Sequence, residues 1–471
     1  MNKQEQTRHT RSGILRFGKR GADSQDTPMS ILLKRRNSKP GVRGIFAIIL
    51  ACISVVALAS CGSGNDYTNE LGTAPGAETR QCTPQTGQSG KRPSPTAVKP
   101  HPAPRNDAMF GFDAQHTHYN PYEHTLNPTN VSKLVLDWTA TTAKPILVPS
   151  WSSPTVANGV VYVASNDEEL YAFNATTGAV LWSTCIGAGT SSTPAVAKGV
   201  VYIGSGDGNL YALNAITGAV LWTATAGYHI ESSPAVVNGT VYVGSDDGNL
   251  YAFKADTGAE LWTFTADNYV DSSPAVANGV VYFVAGSDNK LYAVRATTGA
   301  LLWTAYMDRE PPTSSSPTVV NGVVYVGSGD GKLYAFNATT GAVLWTTTTS
   351  ADVDSSPAVV NGVVYVGSHD GKVSAFNATT GTVLWSTALD PNAYFHFSSP
   401  TVANGVVYVG SGDGKLYTLN ATTGSVLWSV TPNSGVDNTI FAPYLYTPAV
   451  ANGVVYVDLG DFKVFAFHLP T

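Results

Sequence analysis

From about residue 150 the chain repeats one unit of about forty residues, and no other feature constrains its fold as much. One copy, residues 315–347, reads SSPTVVNGVVYVGSGDGKLYAFNATTGAVLWTT. A Ser/Thr-Pro pair recurs at Pro154, Pro194, Pro234, Pro274, Pro317, Pro357, Pro400 and Pro448. A tryptophan recurs at Trp138, Trp182, Trp222, Trp262, Trp303, Trp345, Trp385 and Trp428. A period near forty indicates a propeller or a solenoid. The unit itself divides into four short β-segments. Asn321-Gly322 favours a tight hairpin turn, Gly329-Asp330-Gly331 is a second turn signal, and Gly341 ends a third segment where positive φ is needed. No helical period interrupts them, so each repeat reads as a four-stranded propeller blade. Composition agrees. Charged residues are 13% of the chain, about half the ~25% usual in soluble domains, and 46 Gly with 27 Pro imply many turns. A helical bundle, a coiled coil and a charged disordered chain are excluded.

The two series of anchors are out of phase at the ends. Trp138 precedes the first proline anchor, and Pro448 is followed by three strand segments and no tryptophan. The segment Lys133–Ala140 should therefore supply the outer strand of the last blade. The fold expected is all-β: an eight-bladed β-propeller spanning 132–471, closed by an N-terminal strand. Closure removes the open edges that invite aggregation. The tryptophans should wedge between neighbouring blades.

The N-terminal segment is different in kind. Residues 1–60 carry eleven Lys/Arg against three Asp/Glu, a charge of +8, and the remainder carries −14. Basic residues around Lys34–Arg43 precede fifteen apolar residues, 45–59, which is short for a membrane span and right for a secretion signal. The run ends in Leu58-Ala59-Ser60-Cys61, which resembles the lipobox of bacterial lipoproteins, in which the cysteine is acylated and becomes N-terminal. Met29 offers a second start that gives a signal of more usual length. Residues 61–105 are rich in Gly, Ser, Thr, Pro and Gln and read as a lipidated, disordered tether, with 106–131 as a lead-in to the propeller. The expectation is an exported, monomeric protein, lipid-anchored outside the cytoplasmic membrane or on an outer membrane. Cys82 and Cys185 are expected to remain free thiols. The alternative is a disulfide, which an exported compartment permits and which would tie the tether to the body.

The repeats vary most just before each proline, where the chain enters the innermost strand. Three positions before proline stand Trp151, Ser191, Glu231, Asp271, Ser314, Asp354, Phe397 and Leu445. Five before stand His229, Tyr269, Asp352 and Phe395. Residues two apart on a strand face the same way, so both sets are expected at the axial entrance. Glu231, Asp271, Asp354 and His229 form a candidate ligand or cation site there. The bland alternative is a solvated acidic rim. The loop residues Asp207, Asp247, Asp330, Asp370 and Asp413 read as turn formers, as do the Asn-Ala-Thr-Thr sites. Trp151, Tyr394, Phe395, Phe397, Tyr444 and Tyr446 cluster in blades one, seven and eight, as a candidate partner patch or as loop packing.

The repeat AFNATTGAVLW resembles the tryptophan-docking motif of pyrroloquinoline-quinone-type propellers, and Met109–Trp138 looks like their lead-in. That resemblance implies one of two functions: quinone-dependent oxidation of alcohols or sugars, with the quinone and Ca²⁺ as cofactors, or a non-enzymatic scaffold such as barrel-assembly lipoprotein B. The quinone carries three carboxylates, yet from residue 132 onward the only arginines are Arg295 and Arg309. The vicinal cysteine pair of alcohol-oxidising members is absent, and no C-x-x-C-H haem site is present. No confident metal site, nucleophile–base pair or phosphate loop emerges, and the negative charge of the body opposes nucleic-acid binding. The expectation is a scaffold without cofactor or catalytic residues, presenting its channel-mouth face to a protein or other envelope component.

Overall fold

A computed structural model describes residues 108–142, 152–286, 290–308, 314–390, 395, 398–432, 445–459 and 463–470. The signal, Cys61 and the tether lie outside them. Eight antiparallel four-stranded blades succeed one another in sequence order. Blade 2 is representative, with strands Ala195–Ala197, Val200–Gly204, Asn209–Asn214 and Val220–Thr225 from the axis outward. The Asn-Gly pairs turn the first hairpin with both residues at positive φ, 52° at Asn321 and 78° at Gly322. The ring closes as expected: Val135–Thr141 pairs with Lys463–His468, giving blade 8 an outer strand from the N-terminal side.

Seven of the eight anchor tryptophans hold two blades together by packing and by one hydrogen bond. Trp182 Nε1 donates to the Ala215 carbonyl of the next blade at 3.1 Å, and Tyr162 from the same blade donates its hydroxyl to that carbonyl at 3.1 Å. The pairing recurs from Trp138 with Tyr456 on Ala175 to Trp385 with Tyr365 on Ala421. The glycine ending each Thr-Gly turn lies under the indole. A Cβ on Gly218 would stand 2.6 Å from Trp182, and its φ of +71° is also unfavourable for a side chain. The eighth junction differs because blade 8 has no Thr-Thr-Gly hairpin to offer the carbonyl. There Trp428 packs edge-on to Phe467 with centroids 5.7 Å apart, and the buried Tyr408 hydroxyl has no partner. Leu126, Val131 and Leu134 of the lead-in fill this seam.

The Ser-Ser-Pro signature has a structural meaning of its own. In blades 3 to 8 the hydroxyl before the proline accepts the corresponding N–H of the preceding blade: Thr193 N–H to Ser233, Ser233 N–H to Ser273, Ser273 N–H to Ser316, and onward to Thr447, at 2.9–3.0 Å. These bonds form a belt around the axis.

The lead-in crosses the axis. Its carbonyls at Ala114, Gln115, Thr117 and His118 accept the N–H groups of Val276, Val319, Val359 and Val402, the middle residues of four innermost strands. Ala108 bridges Val196, and Asn120 donates to the Val450 carbonyl at 2.7 Å. Innermost strands have no further neighbour in their own blade, so these contacts satisfy peptide groups that would otherwise face an open channel. The buried Glu123 fastens the segment, accepting the N–H groups of Thr125, Leu126 and Gly453 at 2.7–2.9 Å.

Cys185, at the half-buried end of the outer strand of blade 1, is disulfide-bonded. This corrects the expectation of two free thiols. Its partner lies outside the described residues.

Candidate functional site

The axial channel opens into a cavity of about 190 Å³ above the hydroxyl belt. Ser191, Glu231, Asp271, Ser314 and Asp354, the residues three before proline in blades 2 to 6, line it together. Phe110 of the lead-in stands at its base and also borders a smaller space containing His118. The channel is therefore closed by the lead-in at the end opposite its acidic mouth.

The residues five before proline behave differently from expectation. Alternation holds only along a strand, and the innermost strands are three residues long and begin after the proline. Ahead of it the chain folds back onto the second hairpin. Asp246 N–H donates to the His229 carbonyl and His369 N–H to the Asp352 carbonyl, each at 3.0 Å. Tyr269 receives Gly286 in the same way at 2.8 Å. Phe395 is fully buried against Gly367.

Two hairpin residues that the sequence reading passed over complete the mouth. His229 lies 3.7 Å from Asp246 in blade 3, and His369 lies 3.8 Å from Asp352 in blade 6. These are the same two positions with acid and base exchanged. The only signal was a substitution inside the turn, Ser-Asp-Asp-Gly and Ser-His-Asp-Gly in place of Ser-Gly-Asp-Gly.

The two groups differ electrostatically. His369 Nε2 approaches the buried Asp354 carboxylate at 2.8 Å, and that hydrogen bond raises the imidazole above its usual pKa. Around blade 3 the acids outnumber the base. His229, Glu231 and Asp246 bring ligand atoms within 4.8 Å of one another. Burial, then Glu231, pushes Asp246 up to about 6. Burial, then the neighbouring Asp246, pushes Asp271 up to about 7. The mouth thus holds protons near neutrality and becomes more negative as they leave. Among the described residues no Lys or Arg lines the cavity; Arg295 lies exposed at the end of a third strand, and Arg309 lies outside the described residues.

Other expectations resolve simply. Asp207, Asp247, Asp330 and Asp413 accept the hydroxyl of the tyrosine four residues on, at 2.5–2.7 Å, and the N–H two residues on, so they are turn formers. Asp370, with Ser374 in place of that tyrosine, instead contacts Lys372, Ser350 and Ser368. Asn337 accepts from Thr339 and Thr340 at 3.0 Å as a turn. Of the aromatic patch, Phe395 and Tyr446 are fully buried, and Phe395 packs in the core between blades 6 and 7, which corrects the expectation of an exposed patch at these two positions. Trp151, Tyr394, Phe397 and Tyr444 lie outside the described residues.

A pyrroloquinoline quinone does not fit the described lining of this mouth. Its three carboxylates would meet Glu231, Asp271 and Asp354, with no Lys or Arg lining the cavity among the described residues. Burying unpaired like charges costs several kcal/mol.

No curated protein matches the chain in sequence. Among solved structures, BamB from Moraxella catarrhalis is 21% identical with a TM-score of 0.58, over 71% of this chain and 97% of that one. A quinohemoprotein alcohol dehydrogenase from Pseudomonas putida HK5 is 17% identical with a TM-score of 0.64, over 77% and 80%. A europium-containing methanol dehydrogenase is 15% identical with a TM-score of 0.61, over 77% and 98%. At these identities the likenesses show the fold alone. Overlapping matches to the family of the outer membrane protein assembly factor BamB run over residues 136–229, 207–318, 287–403 and 396–469. With well over half of its length matched, the chain belongs to that family.

Proposed function

We propose that this protein is an exported lipoprotein, anchored through Cys61, whose propeller is a non-catalytic scaffold and whose channel mouth docks an envelope protein. The observation that carries the reading is the mouth itself. Glu231, Asp246 and Asp271 crowd their carboxyls where the belt below supplies only hydroxyls and no Lys or Arg among the described residues lines the wall. Such a site favours a partner that inserts a lysine or arginine side chain, since the incoming charge relieves the repulsion. Membership of the BamB family supports a protein-binding role. The segment 45–61 supports export and lipidation.

The test places a photo-crosslinking amino acid at Ser191 or Ser314, beside the acids, and at Asn238 on the opposite face, in cells. Discrete adducts from the mouth positions, lost in Glu231→Gln/Asp271→Asn, are expected, with none from Asn238. Equal labelling from both faces would refute mouth docking. Cys61→Ala should release the protein from the membrane fraction; retention would show that residues 45–59 are an uncleaved anchor.

The quinoprotein relatives in fold favour a second reading, a quinone-dependent oxidoreductase. Calorimetric titration with pyrroloquinoline quinone, with and without millimolar Ca²⁺, separates the two. Micromolar binding with dye reduction by ethanol or glucose would replace the scaffold.

A further inference from the structure

The face opposite the mouth carries a second cavity, of about 350 Å³, between the lead-in and the first hairpins of blades 5 and 6. Its size lies within the ~300–1,000 Å³ of small-ligand clefts. Three aromatic side chains of the lead-in line it: Phe112, Tyr119 and Tyr122. Tyr122 is 55% exposed, and its ring lies 6.3 Å from that of Phe112, tilted by 34°. Phe112 holds φ at +76°, a conformation that a bulky side chain adopts only when its surroundings impose it, and such strain gathers at binding sites.

The other wall is built from the repeat. Asn321 and Asn361 stand at the tips of equivalent turns, both exposed, and both line the cavity. Neither amide has a hydrogen-bond partner among the described residues. The equivalent Asn404, one blade further on, is already committed, donating to the Leu126 carbonyl at 2.8 Å. The cavity's single charged residue, Asp113, is spent on the lead-in itself. One oxygen accepts the N–H groups of Gln115 and Thr117, and the other accepts the Thr117 hydroxyl at 2.7 Å.

The lining therefore offers aromatic faces, two free primary amides and no available charge. A ligand matched to it is neutral, has apolar C–H faces that lie on rings, and has hydroxyls that both donate to and accept from amides. We infer that this cavity is a binding site for a neutral oligosaccharide, with a pyranose ring on Tyr122 and Phe112 and its hydroxyls on Asn321 and Asn361. A proline-rich peptide would also stack on the rings, but it presents carbonyls and few donors, leaving the amide oxygens unmatched. The inference is independent of the mouth and of what docks there.

The test is a calorimetric and NMR titration of the intact protein with maltotetraose, chitotetraose and a proline-rich decapeptide. One of the two saccharides is expected to bind saturably. Tyr122→Ala and Asn361→Gly should each weaken it about tenfold or more. Asn361→Gly keeps the positive φ of the turn, so an unchanged melting temperature separates loss of contact from loss of fold. Saccharide binding that survives both substitutions would overturn the assignment, as would no saccharide binding up to about 10 mM. Binding of the peptide alone would make the cavity a peptide groove instead.

Discussion

The two ends of the axial channel, one lined by the repeats and the other closed by the lead-in, respond to protons in opposite ways. At the mouth, carboxyls are crowded and hold protons that free carboxyls would have lost. Asp246 and Asp271 rise to about 6 and about 7 from an ordinary 3.8. Between those values the folded protein binds more protons than the unfolded chain, so this contribution to stability is fully present below pH 4 and is lost as pH rises through 6 to 7. At the closed end, burial pushes His116 down to about 4 and His118 down to about 3 from 6.5. Their rings pack edge-on against Phe110, and the Nε2 atom of each is buried without a partner. There the unfolded chain binds the extra protons, so stability is complete above pH 6.5 and falls as pH drops below it. One end resists deprotonation and the other resists protonation. A solvated, charged end suits a partner that arrives and leaves, whereas a dry, neutral end suits a permanent closure.

The largest effect should come from taking the closure away. Deleting residues 108–126 uncovers the inner strands of at least five blades, and we expect aggregation or failure to fold; a melting curve close to that of the intact protein would refute its role. Deleting Val135–Thr141 should be comparably severe, because blade 8 would lose its outer strand. Next in size is Glu123→Ala, which leaves three N–H groups without their acceptor and should cost roughly 3–5 kcal/mol in urea unfolding. A cost below about 1 kcal/mol would show that water replaces the carboxylate.

A smaller effect sharpens the contrast in pH response. His118→Gln removes one protonation site from the closed end, so the drop in stability between pH 7 and pH 5 should shrink, on the order of 1–2 kcal/mol. An unaltered pH profile would mean that the acid limb arises elsewhere. The least effect is expected from the belt. Ser233→Ala removes one hydroxyl acceptor and should cost about 1 kcal/mol, with no change in pH dependence.

Strict repetition made the propeller legible in the sequence. Pro and Trp anchors gave blade count, strand order and the closing strand, because each local turn rule agreed with the period. The tyrosines whose hydroxyls share the tryptophan's acceptor carbonyl recur as regularly, but a period in sequence does not show which carbonyl a hydroxyl meets. The lead-in was illegible for the opposite reason. Its path depends on unpaired peptide groups of distant blades, as in Val319 N–H to Gln115, and no side-chain period records that. At the mouth, Glu231, Asp271 and Asp354 were readable from their offset to proline. Asp246 and His369 were not, because they enter from a hairpin rather than from the connection where the repeats vary most. His229 stands beside Glu231 and Asp246, held by a connection that folds back onto the hairpin rather than by strand alternation.

The account turns on the mouth being an acidic cluster that the fold tolerates rather than needs. The direct measurement is the urea-unfolding free energy of Asp271→Asn beside the native chain at pH 8 and at pH 4. Removing the carboxyl should stabilise the protein at pH 8, by roughly 2 kcal/mol, and the gain should largely vanish at pH 4, where the native Asp271 is protonated. Equal or lower stability of the variant at pH 8 would contradict the account, because it would mean that the ionised carboxylate is held by a favourable partner and that the mouth is a structural ion pair rather than a docking site.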